Sequence, residues 1–162
     1  SSGNVPLRTG VRRLIEEIKK KGLSQYIVTT SNSKAVRALI NKHFHQNLDS
    51  HFQGYITYED VTRHKPSPDA YLKAISLSGL SPKEIIVIED SIPGLLSATR
   101  ASLNCILTLS SLNPFISDDM IKANSILNNL GEPNNYCTVY KGKSCEEGYV
   151  TVEYLEHIIN GD

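Results

Sequence analysis

Ile85-Ile86-Val87-Ile88 is an uninterrupted run of β-branched residues, and Glu89-Asp90 follows it directly. Such a run is typical of a strand that is covered on both faces in a parallel sheet. Helical periodicity and strand-like stretches alternate on both sides of it, with Tyr26 to Thr30 and Cys105 to Leu109 as further strands. This alternation predicts an α/β fold with a doubly wound, mostly parallel sheet.

The other elements follow from the spacing of apolar and capping residues. Helices are predicted from Val11 to Gly22, after Ser33, after Lys65, from Pro93 to Ser102 and from Thr151 to Ile159. Gly54 to Thr57 is predicted to be a short strand, and Ser125 to Leu127 could add an edge strand.

The composition excludes several classes of protein. A chain of 162 residues, 40% hydrophobic, can bury one substantial core but is short for two domains, so we predict a single domain over residues 1–162. Basic and acidic residues balance at 17 each, which gives no global field for nucleic acid or a membrane surface. No apolar run approaches the ~20 residues of a bilayer span. The three cysteines form no CxxC pair and favour a reducing compartment, so we predict a cytoplasmic protein.

Polar residues follow two of the predicted strands, namely the first strand and the β-branched run. Ligands of an open parallel sheet bind beyond the carboxyl ends of its strands. Hydroxyls and an amide at the start of a helix suit a phosphate oxygen, and they are supplied by Thr29, Thr30, Ser31 and Asn32. Glu89 and Asp90 are hard oxygen ligands of the kind that Mg²⁺ uses alongside a substrate phosphate.

Lys65 lies between these segments, where Pro66 and Pro68 stiffen the backbone at the start of a helix. An ammonium there could offset the charges of a phosphate and of the carboxylates. Taken singly, these features also have a purely structural interpretation, because hydroxyls before a helix are commonly caps, and lysines and paired acids are commonly solvated. Their order and their strand-end positions favour a functional site.

Three segments resemble the second, third and fourth motifs of the haloacid dehalogenase superfamily of phosphotransferases. They are Ile27-Val28-Thr29-Thr30-Ser31-Asn32, Lys65-Pro66-Ser67-Pro68-Asp69-Ala70-Tyr71 and Val87-Ile88-Glu89-Asp90-Ser91-Ile92-Pro93-Gly94. The resemblance covers roughly Val5 to Leu109 in the correct order. Within the superfamily, Val5 to Val11 and Thr30 to Val36 are most similar to the CbbY branch, close to β-phosphoglucomutase.

The resemblance implies Mg²⁺-dependent phosphoryl transfer or phosphate-ester hydrolysis on a small sugar phosphate, through a phospho-aspartate. Catalytic roles would fall to Thr29, which would bond the transferring phosphoryl group, and to Lys65, which would bridge phosphate and nucleophile. The residues that would bind the substrate phosphate are Thr29, Thr30, Ser31, Asn32 and Lys65. Glu89 and Asp90 would hold Mg²⁺, directly or through water.

The first motif of the superfamily, Asp-x-Asp-x-Thr or Val after an apolar strand, does not occur in the chain. Asp60-Val61-Thr62 and Asp118-Asp119-Met120 do not fit it. We therefore expect the first strand and the cap domain to lie upstream of Ser1, so that the chain is the C-terminal part of a larger enzyme and inactive alone. In this superfamily the nucleophile strand lies between the strands that end at Thr29 and Glu89. Its absence is expected to leave two strand edges unpaired, unless another chain supplies a strand or the sheet rearranges.

Two other interpretations stay open. The chain could be a non-catalytic module that kept the fold and an anion and metal site after losing the nucleophile. Alternatively, Thr29 and Ser31 could be caps, Lys65 a surface residue, and Glu89 and Asp90 solvated loop acids.

Overall fold

The computed structural model describes residues 5–45 and 51–162. The first strand and the cap domain that are expected upstream of Ser1 therefore lie outside the described residues. The helices are α1 (Val11–Lys20), α2 (Ser33–Phe44), α3 (Asp69–Ser78), α4 (Ile92–Arg100) and α5 (Val152–Asn160). The strands are β1 (Tyr26–Val28), β2 (Gly54–Ile56), β3 (Ile86–Glu89), β4 (Asn104–Thr108), β5 (Ser125–Leu127) and β6 (Val139–Lys141). The predicted alternation of helix and strand is confirmed, with bounds that shift by a residue or two.

The strands form two sheets within the described residues. β1 pairs in parallel with β2, and the second sheet has the order β3-β4-β5-β6, in which only the β5–β6 pair is antiparallel. The prediction of a mostly parallel arrangement is confirmed. One continuous sheet is not formed, because β1 and β3 share no hydrogen bonds in this part of the chain. The interruption lies between the two strands that the resemblance expects on either side of the nucleophile strand.

The larger sheet is covered by helices on both faces. β4 alternates between them: Cys105 and Leu107 join a buried cluster with Leu95 and Ala98 of α4, whereas Ile106 packs with Leu14 of α1. Leu155 of α5 joins the second cluster. Each fully buried aliphatic side chain contributes roughly 1.5–3 kcal/mol to folding. This two-sided burial fixes the register of the sheet, and with it the edge at which the strands end.

Two sequence-based expectations were wrong in detail. Ser125 to Leu127 is not an edge strand, because β5 lies between β4 and β6 and its three residues are all buried. The edge belongs to β6, which was not predicted although Val139 and Tyr140 are residues that favour strands. The β-branched run was also expected to be covered on both faces, yet Ile88 is 37% exposed. β3 is the strand of the larger sheet that borders the interruption.

None of the helices in the described ranges has the length and apolar character needed to cross a membrane.

Candidate active site

One lysine joins the carboxyl ends of the two sheets. The Lys65 ammonium donates a hydrogen bond of 2.9 Å to the carbonyl of Val28, the last residue of β1. It also donates to Oε1 of Glu89, the last residue of β3. The side chains of Lys65 and Glu89 are only 9% and 7% exposed. The two predicted residues therefore form a largely desolvated ion pair across the interruption.

Tyr71 is the second donor to this carboxylate. Its hydroxyl, carried on α3, donates to the same Oε1 of Glu89, and the Lys65 ammonium lies 5.2 Å from the centre of its ring. Burial, and then the neighbouring Glu89 charge, raise the pKa of Tyr71 far above its ordinary value. The phenol therefore stays protonated and acts as a donor. In the sequence Tyr71 was only the last residue of the third motif, without an assigned role, and its partner Glu89 is remote along the chain.

The first turn of α4 packs against the Glu89 carboxylate. Ser91 caps this helix by accepting from the Gly94 N–H at 3.1 Å. A Cβ added at Gly94 would overlap the Glu89 side chain, so only glycine permits this close approach. The positive end of the helix dipole also favours a carboxylate at this place. Gly94 was part of the motif in the sequence, but its steric role needed the structure.

The hydroxyl and amide residues predicted to bind phosphate follow β1, next to Val28. Oγ1 of Thr29 accepts from the Ser31 N–H at 3.0 Å, and the Thr29 N–H is bonded to β2 through Ile56. Thr30, Ser31 and Asn32 are exposed. Oδ1 of Asn32 accepts from the Ala35 N–H at 2.8 Å, so this side chain caps α2.

A carboxylate that the sequence did not indicate lies at the start of α2. Glu59 accepts from the Ser33 N–H at 3.1 and 3.2 Å, and Oγ1 of Thr57 donates to it at 2.9 Å. The hydrogen bond from its own backbone N–H, and then the bonds from Thr57 and Ser33, lower the pKa of Glu59. The helix N-terminus thus already receives one negative charge. Glu59 lies far from Ser33 along the chain, so no local pattern could have revealed the contact.

Asp90 follows Glu89 and is exposed, unlike its neighbour. Its charge is close enough to help raise the pKa of Tyr71. Among residues 5–45 and 51–162, no group of three or more His, Cys, Asp or Glu side chains could hold a metal ion.

Arg8 was not predicted as a site residue, yet it lies at the same edge of the larger sheet. Its guanidinium donates to Oγ1 of Thr108 at 2.9 Å and to the Asn128 carbonyl at 3.3 Å. The Thr108 hydroxyl in turn donates to the Glu89 carbonyl at 3.4 Å. Arg8 thereby links the ends of β4 and β5 to the end of β3.

The sequence profile of the haloacid dehalogenase-like hydrolases matches residues 2–108. The chain belongs to this family. The resemblance drawn from the three segments is therefore confirmed.

Known relatives place the chain in the CbbY branch of the haloacid dehalogenase-like hydrolases. It is 39% identical over 110 residues to CbbY of Rhodobacter capsulatus, covering 68% of this chain and 48% of that protein. The crystal structure of Rhodobacter sphaeroides CbbY with phosphate superposes with a TM-score of 0.70 at 28% identity, covering 79% of this chain and 56% of that one. A mutant of that protein in complex with xylulose-1,5-bisphosphate gives 0.69 at 29% identity, with the same coverage. The chain spans about half or less of the curated relatives it matches.

Proposed function

We propose that this chain forms the phosphate- and metal-binding core of a Mg²⁺-dependent phosphatase or phosphomutase that acts on a small sugar phosphate. The observation that carries the proposal is the buried Lys65–Glu89 pair, which lies between the ends of β1 and β3. Thr29 follows the carbonyl that Lys65 bonds, so a phosphoryl group above β1 would meet a hydroxyl and an ammonium together. The sugar-phosphate class is supported by the related CbbY, which was crystallised with xylulose-1,5-bisphosphate.

Lys65 and Thr29 have catalytic roles in this proposal. The lysine neutralises charge on the phosphoryl group, and the threonine hydroxyl orients it, so that catalysis comes mainly from positioning and electrostatics. Thr30, Ser31 and Asn32 bind the remaining phosphate oxygens. The Ser31 N–H already bonds to Thr29, and the side-chain oxygen Oδ1 of Asn32 caps α2. Phosphate binding would therefore draw on the Thr30 N–H and the side-chain NH₂ group of Asn32.

The two carboxylates at the end of β3 would bind Mg²⁺ differently, one directly and one through water. Asp90 is exposed and can coordinate the ion directly. Oε1 of Glu89 already accepts from Lys65 and Tyr71, so Glu89 would act through a bound water. Mg²⁺ commonly keeps several waters and binds through one or two carboxylates plus substrate phosphate, which suits this donor set. When bound, the ion would neutralise charge on the phosphate oxygens.

The nucleophile would enter on a strand between β1 and β3. Each of these strands has one paired neighbour among the described residues, β2 and β4 respectively, and so presents an open edge toward the interruption. We infer that a segment carrying Asp-x-Asp, from the same protein or a partner chain, pairs with both edges. Its aspartate would form the phospho-enzyme beside the Lys65 ammonium.

The proposal predicts that the 162-residue chain alone releases no phosphate from sugar phosphates, whereas the complete encoded protein does so in the presence of Mg²⁺. Phosphate release is measured for both at matched concentration, with EDTA as the control for metal. Mg²⁺-dependent turnover by the 162-residue chain would contradict the placement of the nucleophile outside it. Binding of Mg²⁺ and phosphate without turnover by the complete protein would instead favour a non-catalytic module.

A further inference from the structure

Two of the three cysteines lie side by side outside the candidate active site. Sγ of Cys137 is 3.7 Å from Sγ of Cys145. Cys137 precedes the edge strand β6 and Cys145 follows it, and both are half-buried rather than enclosed. The third, Cys105, is fully buried in β4.

Backbone hydrogen bonds, not the sulfur atoms, bring the two cysteines together. The Cys137 N–H donates to the Gly148 carbonyl at 2.8 Å, and the Gly148 N–H donates to the Cys145 carbonyl at 3.0 Å. Gly148 has a φ of 79°, and a Cβ there would overlap the Tyr136 ring, so the turn specifically requires glycine. The two thiols are therefore held in proximity before any reaction.

The surroundings of the two thiols shift their pKa values in opposite directions. The hydrogen bond with Cys145 lowers the pKa of Cys137 to about 7, against the opposing effect of partial burial, and the Arg13 charge lowers it further. The same pairing, together with burial, raises the pKa of Cys145. Burial also raises the pKa of Cys105, mainly by desolvation. Cys137 is thus the thiol that ionises at neutral pH, and a protonated thiol lies next to it.

We propose that Cys137 and Cys145 are a peroxide-sensitive pair that is oxidised to an intramolecular disulfide. The Cys137 thiolate attacks one oxygen of hydrogen peroxide, the O–O bond breaks, and Cys137 becomes a sulfenic acid while hydroxide leaves and is protonated to water. The Cys145 sulfur then attacks the sulfenic sulfur, the S–O bond breaks, and a second water leaves with the thiol proton. In total, two thiols lose two electrons and one peroxide is reduced to two waters.

The disulfide would close a short loop that contains β6. This strand forms the antiparallel edge of the larger sheet, and the turn after it leads to α5. Cross-linking a short loop removes conformations from the unfolded chain, so oxidation is expected to raise Tm by about 5 °C. Oxidation would therefore secure the edge strand rather than change the active-site edge.

The test is treatment of the reduced chain with hydrogen peroxide, followed by iodoacetamide and mass spectrometry. Trypsin cleaves after Lys141 and Lys143, which lie between the two cysteines, so a disulfide releases a linked pair of peptides that separates on reduction. We expect this linked pair, with Cys105 alone alkylated after unfolding. The rate should rise as pH increases through about 7, as the Cys137 thiol ionises.

Two variants identify the roles of the cysteines. In the Cys145→Ser variant, dimedone should trap a sulfenic acid on Cys137, which does not accumulate in the unaltered chain. The control variant Cys105→Ser should form the disulfide as the unaltered chain does. Peroxide treatment that leaves both Cys137 and Cys145 alkylatable, or that yields sulfinic acid on Cys137 without the linked peptides, would overturn the proposal. The peptide map needs no variant, so the proposal stays testable if a substitution prevents folding.

Discussion

Replacing Lys65 by methionine tests the buried ion pair through stability. The substitution keeps a long aliphatic side chain but removes the charge and both hydrogen bonds of the ammonium. Glu89, only 7% exposed, would keep a carboxylate with Tyr71 as its remaining strong donor. Removing one partner from a buried ion pair costs about 3–5 kcal/mol, because the other charge stays desolvated. We expect a loss of this size in the free energy of unfolding.

Urea unfolding followed by circular dichroism measures the change, and the chain offers a matched control. Lys73 forms an ion pair with Asp60 at 3.6 Å, in which both side chains are substantially exposed. Lys73→Met should therefore cost no more than about 1 kcal/mol. Adding Glu89→Gln to Lys65→Met removes the unpaired charge and should restore about 2 kcal/mol of the loss.

The reasoning would be refuted if Lys65→Met destabilised the chain no more than Lys73→Met at neutral pH. It would also be refuted if adding Glu89→Gln to Lys65→Met restored no stability. The loss caused by Lys65→Met would then not arise from a buried carboxylate that lacks its partner.

Three further substitutions address single contacts by the same unfolding measurement. Tyr71→Phe removes a hydroxyl donor to Glu89 and should cost about 1.5–3 kcal/mol, and an unchanged stability would exclude that hydrogen bond. Gly94→Ala should destabilise by about 1–3 kcal/mol through overlap with Glu89, although helix propensity alone favours alanine; a gain in stability would contradict the packing. Asn32→Ala should cost about 1 kcal/mol by removing the cap of α2, whereas Asn32→Ser should retain most of the stability because serine can also cap. Equal losses of stability in the two variants would show that the side-chain cap does not stabilise α2.

The elements with strong local patterns could be predicted from the sequence. β3 and β4 were found because β-branched and apolar runs are distinctive, and α4 because Pro93 marks its first turn. β6 was missed because it is only three residues long: Val139 and Tyr140 favour a strand, but so short a run is recognised only through its pairing with β5. Strand pairing is a non-local property, which no short window of sequence contains.

The candidate site shows the same division between local and non-local information. Lys65 and Glu89 were predicted from motif order and strand-end position, and the structure brings them into contact. Tyr71 and Glu59 were not assigned roles, because their partners lie elsewhere along the chain. The Val28 carbonyl was also missed, since a backbone acceptor has no signature in residue type.

The most direct test of the central claim is the activity of the complete encoded protein carrying Asp90→Ala. Phosphate release from a sugar phosphate is measured at saturating Mg²⁺, with Asp118→Ala as the matched control, because Asp118 is also exposed but belongs to no proposed site. The account predicts loss of at least about 100-fold in rate for Asp90→Ala and little change for Asp118→Ala, since loss of a metal ligand removes several kcal/mol of transition-state stabilisation. Equal rates for the two variants would contradict the assignment of Asp90 to the metal and with it the proposed function.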